Sequence, residues 1–180
     1  MPIDESRAAQ AIRLLLESFD VDADGPELRD TPARVASFWQ ERLAGYGVDL
    51  DRELRALPGE LTPVPVILER IPFVSTCEHH LASFEGFATV GYLPSEGCTV
   101  GLSKLARVVQ TFAARLQVQE RMTQQIFDAL RDYLQPQAWG VRLVAQHTCM
   151  AHRGVKTPGV PVTTQLLGGA WKAEAPACFK

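Results

Sequence analysis

Apolar positions early in the chain recur at helical spacing. Ala8, Ala9, Ile12, Leu15, Leu16 and Phe19 share one side of a helix predicted over 5–19. A polar break over 20–26, holding Gly25 and Pro26, ends it. A second helix is predicted with Thr31 as N-cap and Pro32 at the first helical position. Val35, Phe38, Trp39 and Leu43 form its apolar side, and Gly45 is the expected stop. This pair reads as a packing or assembly layer.

Residues 47–63 carry no period and read as irregular. From Val64 the pattern shortens to β-like runs: Val66 to Thr76, then Phe84 to Leu93 with an expected break at Gly86. Pro94-Ser95-Glu96-Gly97 is a turn signal. The two runs suggest an antiparallel hairpin. Helical spacing returns over 103–115, through Leu105, Val108, Val109 and Phe112, with Ser103 as N-cap. It continues over 117–134, through Val118, Met122, Ile126 and Leu130. No breaker marks the joint near Leu116-Gln117. Trp139 to Cys149 alternates, with Val141, Leu143 and Ala145 against Arg142, Val144 and Gln146. Val160 to Leu167 completes the strands. Two helices, two strands, two helices and two strands make an α+β domain with helices on one side of an antiparallel sheet. Residues 1–50 are expected to be a helical segment and 51–180 the catalytic domain.

Composition changes this picture little. The chain has 180 residues, is 46% hydrophobic and 22% charged, and has a mean hydropathy of -0.03. No run is long enough to span a membrane and no leader pattern opens the chain, so a cytoplasmic location and no membrane partner are expected. A net charge of -3 supplies no global basic field for nucleic acid. An anionic ligand needs a local group of cations. The cysteines are Cys77, Cys98, Cys149 and Cys178. In a cytosolic chain of this size metal binding is a better reading than disulfides. Cys98 and Cys178 read as spectators.

The histidines carry the chemistry. There are four, and each pair sits beside a cysteine: Cys77-Glu78-His79-His80, and His147-Thr148-Cys149 with His152 after it. Thiolate and imidazole are ligands that zinc prefers. Cys77 and His80, three apart, suit a turn closing on one ion, and Cys149 is the third ligand. Three ligands and an open position describe a catalytic zinc. If 147–149 is extended, His147 and Cys149 point to one face, and an unligated imidazole stands beside the metal for acid-base work. Two alternatives stand: His147 or His79 as a fourth ligand, which would make the site structural. Glu78 either orients a histidine or is solvated, and His152 reads as a solvated loop residue.

Gly101-Leu102-Ser103-Lys104 with Arg107 places two cations on a predicted first helical turn, against the dipole. A bound phosphate would explain them, with Arg153 and Lys156 adding to it; ordinary surface charge is the alternative. In Gln117-Val118-Gln119-Glu120-Arg121, a carboxylate beside a carboxamide suits an amidine-like N–H pair, such as that of guanine. A capping role for Glu120 is the alternative.

These residues together resemble the GTP cyclohydrolase I family. Ser75 to His80 matches its first zinc motif. Gly101-Leu102-Ser103-Lys104, Arg107 and Gln117 to Thr123 match its central block, and His147-x-Cys149 with Arg153-Gly154-Val155 matches its second zinc motif. Asp30 to Val35 is similar to the family's early helix start. Ala82-Ser83, Leu116 and Ala151-His152 depart from the usual pattern. The resemblance implies a tunnelling fold for the catalytic domain, with strands of several chains forming a barrel. It implies a homo-oligomer, a decamer of two pentamers, with active sites between subunits. It implies hydrolysis of GTP to 7,8-dihydroneopterin triphosphate and formate. Carried over by position, Cys77, His80 and Cys149 bind zinc, and His79 and His147 handle protons. Glu120 and Gln119 hold guanine. Ser103, Lys104, Arg107 and Arg153 line the ribose-triphosphate side, with Ser103 placed among the catalytic residues.

Other classes fit less well. A nitrile reductase of the same fold lacks the zinc triad, and a zinc nucleobase deaminase needs Pro-Cys-x-x-Cys, which is missing. A relative opening GTP for another pterin or deazapurine pathway, and a closed zinc-stabilised binding module, are the remaining alternatives.

Overall fold

The computed structural model describes residues 4–54, 57–58, 64–95 and 98–180. Two helices open it, α1 (Glu5–Glu17) and α2 (Thr31–Arg42), followed by a 3-10 turn at Ala44–Gly47 and a one-turn helix α3 (Leu50–Glu53). Strand β1 (Leu57–Pro58) pairs with β4 (Cys98–Thr99) in a two-residue bridge. The main elements are β2 (Val66–Cys77), β3 (Ser83–Leu93), α4 (Leu102–Ala113), β5 (Leu116–Gln117), α5 (Gln119–Leu134), β6 (Ala138–His147), the single turn α6 (Thr148–Ala151) and β7 (Val162–Gly169). Two 3-10 turns at Ala170–Lys172 and Ala177–Phe179 follow.

The five-stranded sheet runs β5-β2-β3-β6-β7. It is antiparallel except for the β2–β5 pair, a parallel bridge of Thr76 to Leu116 and Cys77 to Gln117. Helices α4 and α5 cover one face. Ile71, Phe73, Ala88, Val90, Val141, Leu143 and Ala145 point into the core they form with Leu105, Val109, Met122, Ile126 and Leu130. The expected α+β order and the alternation along β6 hold. Gln110 Nε2 donates to Pro72 O and Ser75 Oγ to Ala113 O, so α4 lies along β2 with its C-terminal end towards Cys77. The opposite sheet face leaves Val74 and Phe87 exposed, with the Arg70 guanidinium 4.2 Å from the Phe87 ring centre.

Several local expectations are corrected. Asp30, not Thr31, is the N-cap of α2, and Thr31 begins the helix. Gly101, not Ser103, precedes α4; Ser103 lies inside its first turn. The joint near Leu116 is a strand, so Gln117 pairs with Cys77 and α5 starts at Gln119. Gly86 does not break β3. A Cβ there would lie 1.9 Å from Val144 O, so glycine is what lets β3 approach β6. Gly45 is not a helix stop. Its added Cβ would meet Thr111 O at 2.0 Å, and its N–H donates to Ala114 O, seating the 3-10 turn on the end of α4. The 47–63 stretch contains α3 and β1. The turn signal at 94–97 lies partly outside the described residues.

Helix α1 buries none of its residues, and Leu14, Leu15 and Phe19 are exposed. No described helix is long and apolar enough to cross a membrane.

Gly86→Ala is expected to destabilise the fold by about 1–3 kcal/mol through forced overpacking against the β6 backbone. A thermal unfolding midpoint equal to that of the parent would contradict this.

Candidate metal centre and its pocket

Two chain reversals meet at one end of the sheet. The first follows β2. Leu81 N–H donates to Cys77 O and Cys77 N–H to Ala82 O, with Leu81 in left-handed backbone at φ 53. That tight link delivers Cys77 from the strand and His79 and His80 from the turn. The second follows β6, where Thr148 Oγ1 donates to Ser83 O at 2.6 Å and turns the chain into α6, carrying Cys149. Phe84 pairs with His147 across the β3–β6 register, and their rings stack with centres 4.6 Å apart and 2° between planes.

The ligand atoms of Cys77, His80 and Cys149 all lie within 4.8 Å of one another. Cys77 Sγ is 3.8 Å from His80 Nδ1. Among the described residues no fourth Cys, His, Asp or Glu joins this group. Burial pushes the Cys149 thiol up, and the neighbouring Cys77 pushes it further. Two thiols and an imidazole held this close are donors that a borderline-soft dication takes, and its charge would offset the burial that opposes ionising Cys149, so the donor set fits zinc.

His147 does not share a strand face with Cys149, because the chain turns at Thr148. It reaches the site from the end of β6 instead. Its Nε2 lies 2.7 Å from Gln119 Oε1. Burial pushes its pKa down, opposed by the charge of Glu120. His147 is not among the donors that cluster with Cys77, His80 and Cys149, which disfavours it as a fourth ligand. His79 Nδ1 is 3.9 Å from Cys77 Sγ, but its side chain is mostly exposed.

A cavity of about 220 Å³ opens beside the cluster, lined among others by Cys77, His80, Phe84, Glu120, His147 and Cys149. Ligand pockets usually run from about 300 to 1,000 Å³, so this one fits a base better than a nucleoside triphosphate. Glu120, exposed on the first turn of α5, lines it. Gln119 is buried, and its carboxamide is spent on the protein: Nε2 lies 3.0 Å from Val162 O, 3.1 Å from Thr164 Oγ1 and 3.3 Å from Leu143 O. Arg153 joins the site, its NH1 2.7 Å from His80 Nε2. His152 is exposed, as expected.

Ser103, Lys104 and Arg107 are not brought to the cluster within this chain. Ser103 is ten residues before Ala113 on α4, roughly 15 Å away along the helix from the end that meets Ser75. Lys104 Nζ donates to Arg52 O, and Arg107 pairs with Glu53 at 3.5 Å, both on α3.

A pairing not foreseen holds the turn in place. The Arg121 guanidinium pairs with Glu78, holding that carboxyl below the usual carboxylate range, and also donates to Leu116 O and Gln117 Oε1. Glu78 N–H donates to Gln117 O. The signal was the run Gln117 to Arg121, but its role depends on the parallel bridge, which no local pattern announces.

A family model for GTP cyclohydrolase I matches residues 8–178. Relatives named GTP cyclohydrolase 1 include one from Mycolicibacterium vanbaalenii, 48% identical over 95% of this chain and 85% of that protein. Another, from Mycobacterium ulcerans, is 47% identical over 96% and 86%. Among solved structures, the archaeosine synthase QueF-Like in the apo form aligns over 61% of this chain and 98% of that chain, at 19% identity and a TM-score of 0.48. The α+β architecture rests on the strand order above rather than on that likeness.

Cobalt(II) titrated into metal-stripped protein is expected to bind one ion per chain with thiolate charge-transfer absorption. Cys149→Ala is expected to remove about half of that intensity, since one of two thiolates is lost. An unchanged spectrum would exclude Cys149 as a ligand.

Proposed function

The chain belongs to the GTP cyclohydrolase I family of enzymes, and we propose that it hydrolyses GTP to 7,8-dihydroneopterin triphosphate and formate with a zinc ion held by Cys77, His80 and Cys149. The observation that carries this reading is the three-donor cluster opening into one cavity with His147 and Glu120. When bound, zinc there supplies a Lewis acid that makes water a nucleophile near neutral pH.

The protein's own groups do the rest. Glu120 accepts from N1–H and the 2-amino group of guanine, a donor pair that adenine lacks, and so selects the base. His147 handles the proton that the departing N7 needs when the imidazole ring opens. His79, beside Cys77 and open to solvent, is a second proton carrier. Phe84, stacked on His147, keeps that ring in one plane and excludes water from its face. Arg153 stands on the triphosphate side.

The remaining candidate residues, two cations and a serine, support a site completed by a second chain. Ser103, Lys104 and Arg107 would then come from a neighbour's α4 to line the ribose and triphosphate. The small cavity and the exposed apolar residues of α1 support such an assembly. We take it to be the decamer of two pentamers implied by the resemblance, with 1–50 as an assembly segment on the 51–180 catalytic domain, in the cytoplasm.

Zinc-loaded protein incubated with GTP is expected to release formate and a pteridine triphosphate in equal amounts. His147→Ala is expected to keep its zinc and its oligomer while product formation falls by at least about 10²-fold. Loss of zinc together with activity in that variant would contradict the proton-carrier role.

A further inference from the structure

Gln119 is 1% exposed, yet its side chain makes four polar contacts. Their chemistry fixes which way the carboxamide points. Val162 O and Leu143 O are backbone carbonyls and can only accept. The atom facing them must therefore be the NH₂ group, because a carboxamide oxygen at 3.0 Å from a carbonyl oxygen would be repelled. Oε1 then faces His147 Nε2 at 2.7 Å. An amide oxygen only accepts, so Nε2 must carry a hydrogen.

The next shell agrees. Thr123 Oγ1 donates to Gln119 O at 2.9 Å, which uses its one hydrogen. The 2.6 Å contact between Thr123 and Thr164 hydroxyls is then donated by Thr164. That leaves Thr164 Oγ1 as an acceptor for the Gln119 NH₂ group. Every donor in the chain from Thr164 to His147 has one direction. Among the described residues no hydrogen bond engages His147 Nδ1.

We propose that Gln119 is a positioning residue for His147: its carboxamide, anchored on β6 and β7, fixes the neutral imidazole as the Nε2–H tautomer and leaves Nδ1 as the ring nitrogen with its lone pair free. This rests on the reading of His147 as a proton carrier. The buried carboxamide is thereby assigned to the histidine rather than to guanine.

The test uses the zinc-loaded oligomer. Nitrogen NMR of ¹⁵N-histidine protein, with His147 assigned by its loss in His147→Ala, is expected to show protonated Nε2 and bare Nδ1. A wild-type spectrum with protonated Nδ1 and bare Nε2 overturns the proposal, whatever His147→Ala does to turnover. Gln119→Met, which removes the acceptor, is expected to lower kcat by about 10-fold or more, part of the usual acid-base contribution, with KM for GTP little changed. A raised KM with unchanged kcat would make Gln119 a base-binding residue instead. Should Gln119→Met fail to fold, Thr164→Val loosens the carboxamide from outside the cavity lining. It is expected to lower kcat in the same sense, and an unchanged kcat counts against the proposal. If His147→Ala retains full turnover, the proton-carrier reading fails separately, while the tautomer spectrum still stands or falls alone.

Discussion

The register of β3 between β2 and β6 is the constraint on which the site depends. Thr76 pairs with Ser83 and Phe84 with His147, so both cysteine-bearing turns leave the sheet at the same end. A slip of one residue on either side would send Cys77 or His147 to the opposite face. Gly86, two pairs along, is where that register is enforced sterically, because only a residue without Cβ fits over Val144 O. The parallel bridge from Cys77 to Gln117 then lays the start of α5 along the metal turn. Arg121 reaches Glu78 from that helix, and Gln119 reaches His147. The candidate metal donors, His147 and Glu120 thus converge from three separate stretches of chain.

Much of this was legible in the sequence because it depends on spacing. The Cys77 to His80 turn, its place at a hairpin, and the alternation along β6 follow from short-range periodicity. What was not legible depends on partners distant in sequence. The start of α5 was blurred because Leu116-Gln117 has no breaker residue and becomes a strand only by pairing with β2. His147 and Cys149 were expected on one extended face. The bond from Thr148 to Ser83 instead turns the chain between them, and the two side chains reach the pocket by different routes. Gln119 looked like a ligand for a base because a carboxamide beside a carboxylate has that chemistry. Its burial against β6 and β7 gives it other partners.

A single chain presents half of what the proposed reaction needs. The candidate metal donors, His147 and Glu120 share a cavity, while Ser103, Lys104 and Arg107 stand towards the far end of α4, with Lys104 and Arg107 engaged with α3. The net charge of -3 makes the placement of those few cations decisive, because no general field gathers a triphosphate. Assembly and catalysis are coupled in this reading, and the exposed apolar residues of α1 belong to the same requirement.

The central claim is an open metal site whose neighbouring imidazole is free to move protons. X-ray absorption at the zinc edge of the loaded protein reads the donor set directly. Two sulfur donors and one imidazole, with a fourth light donor that is not imidazole, are expected. Two sulfurs with two imidazoles would describe a closed structural site and contradict the claim.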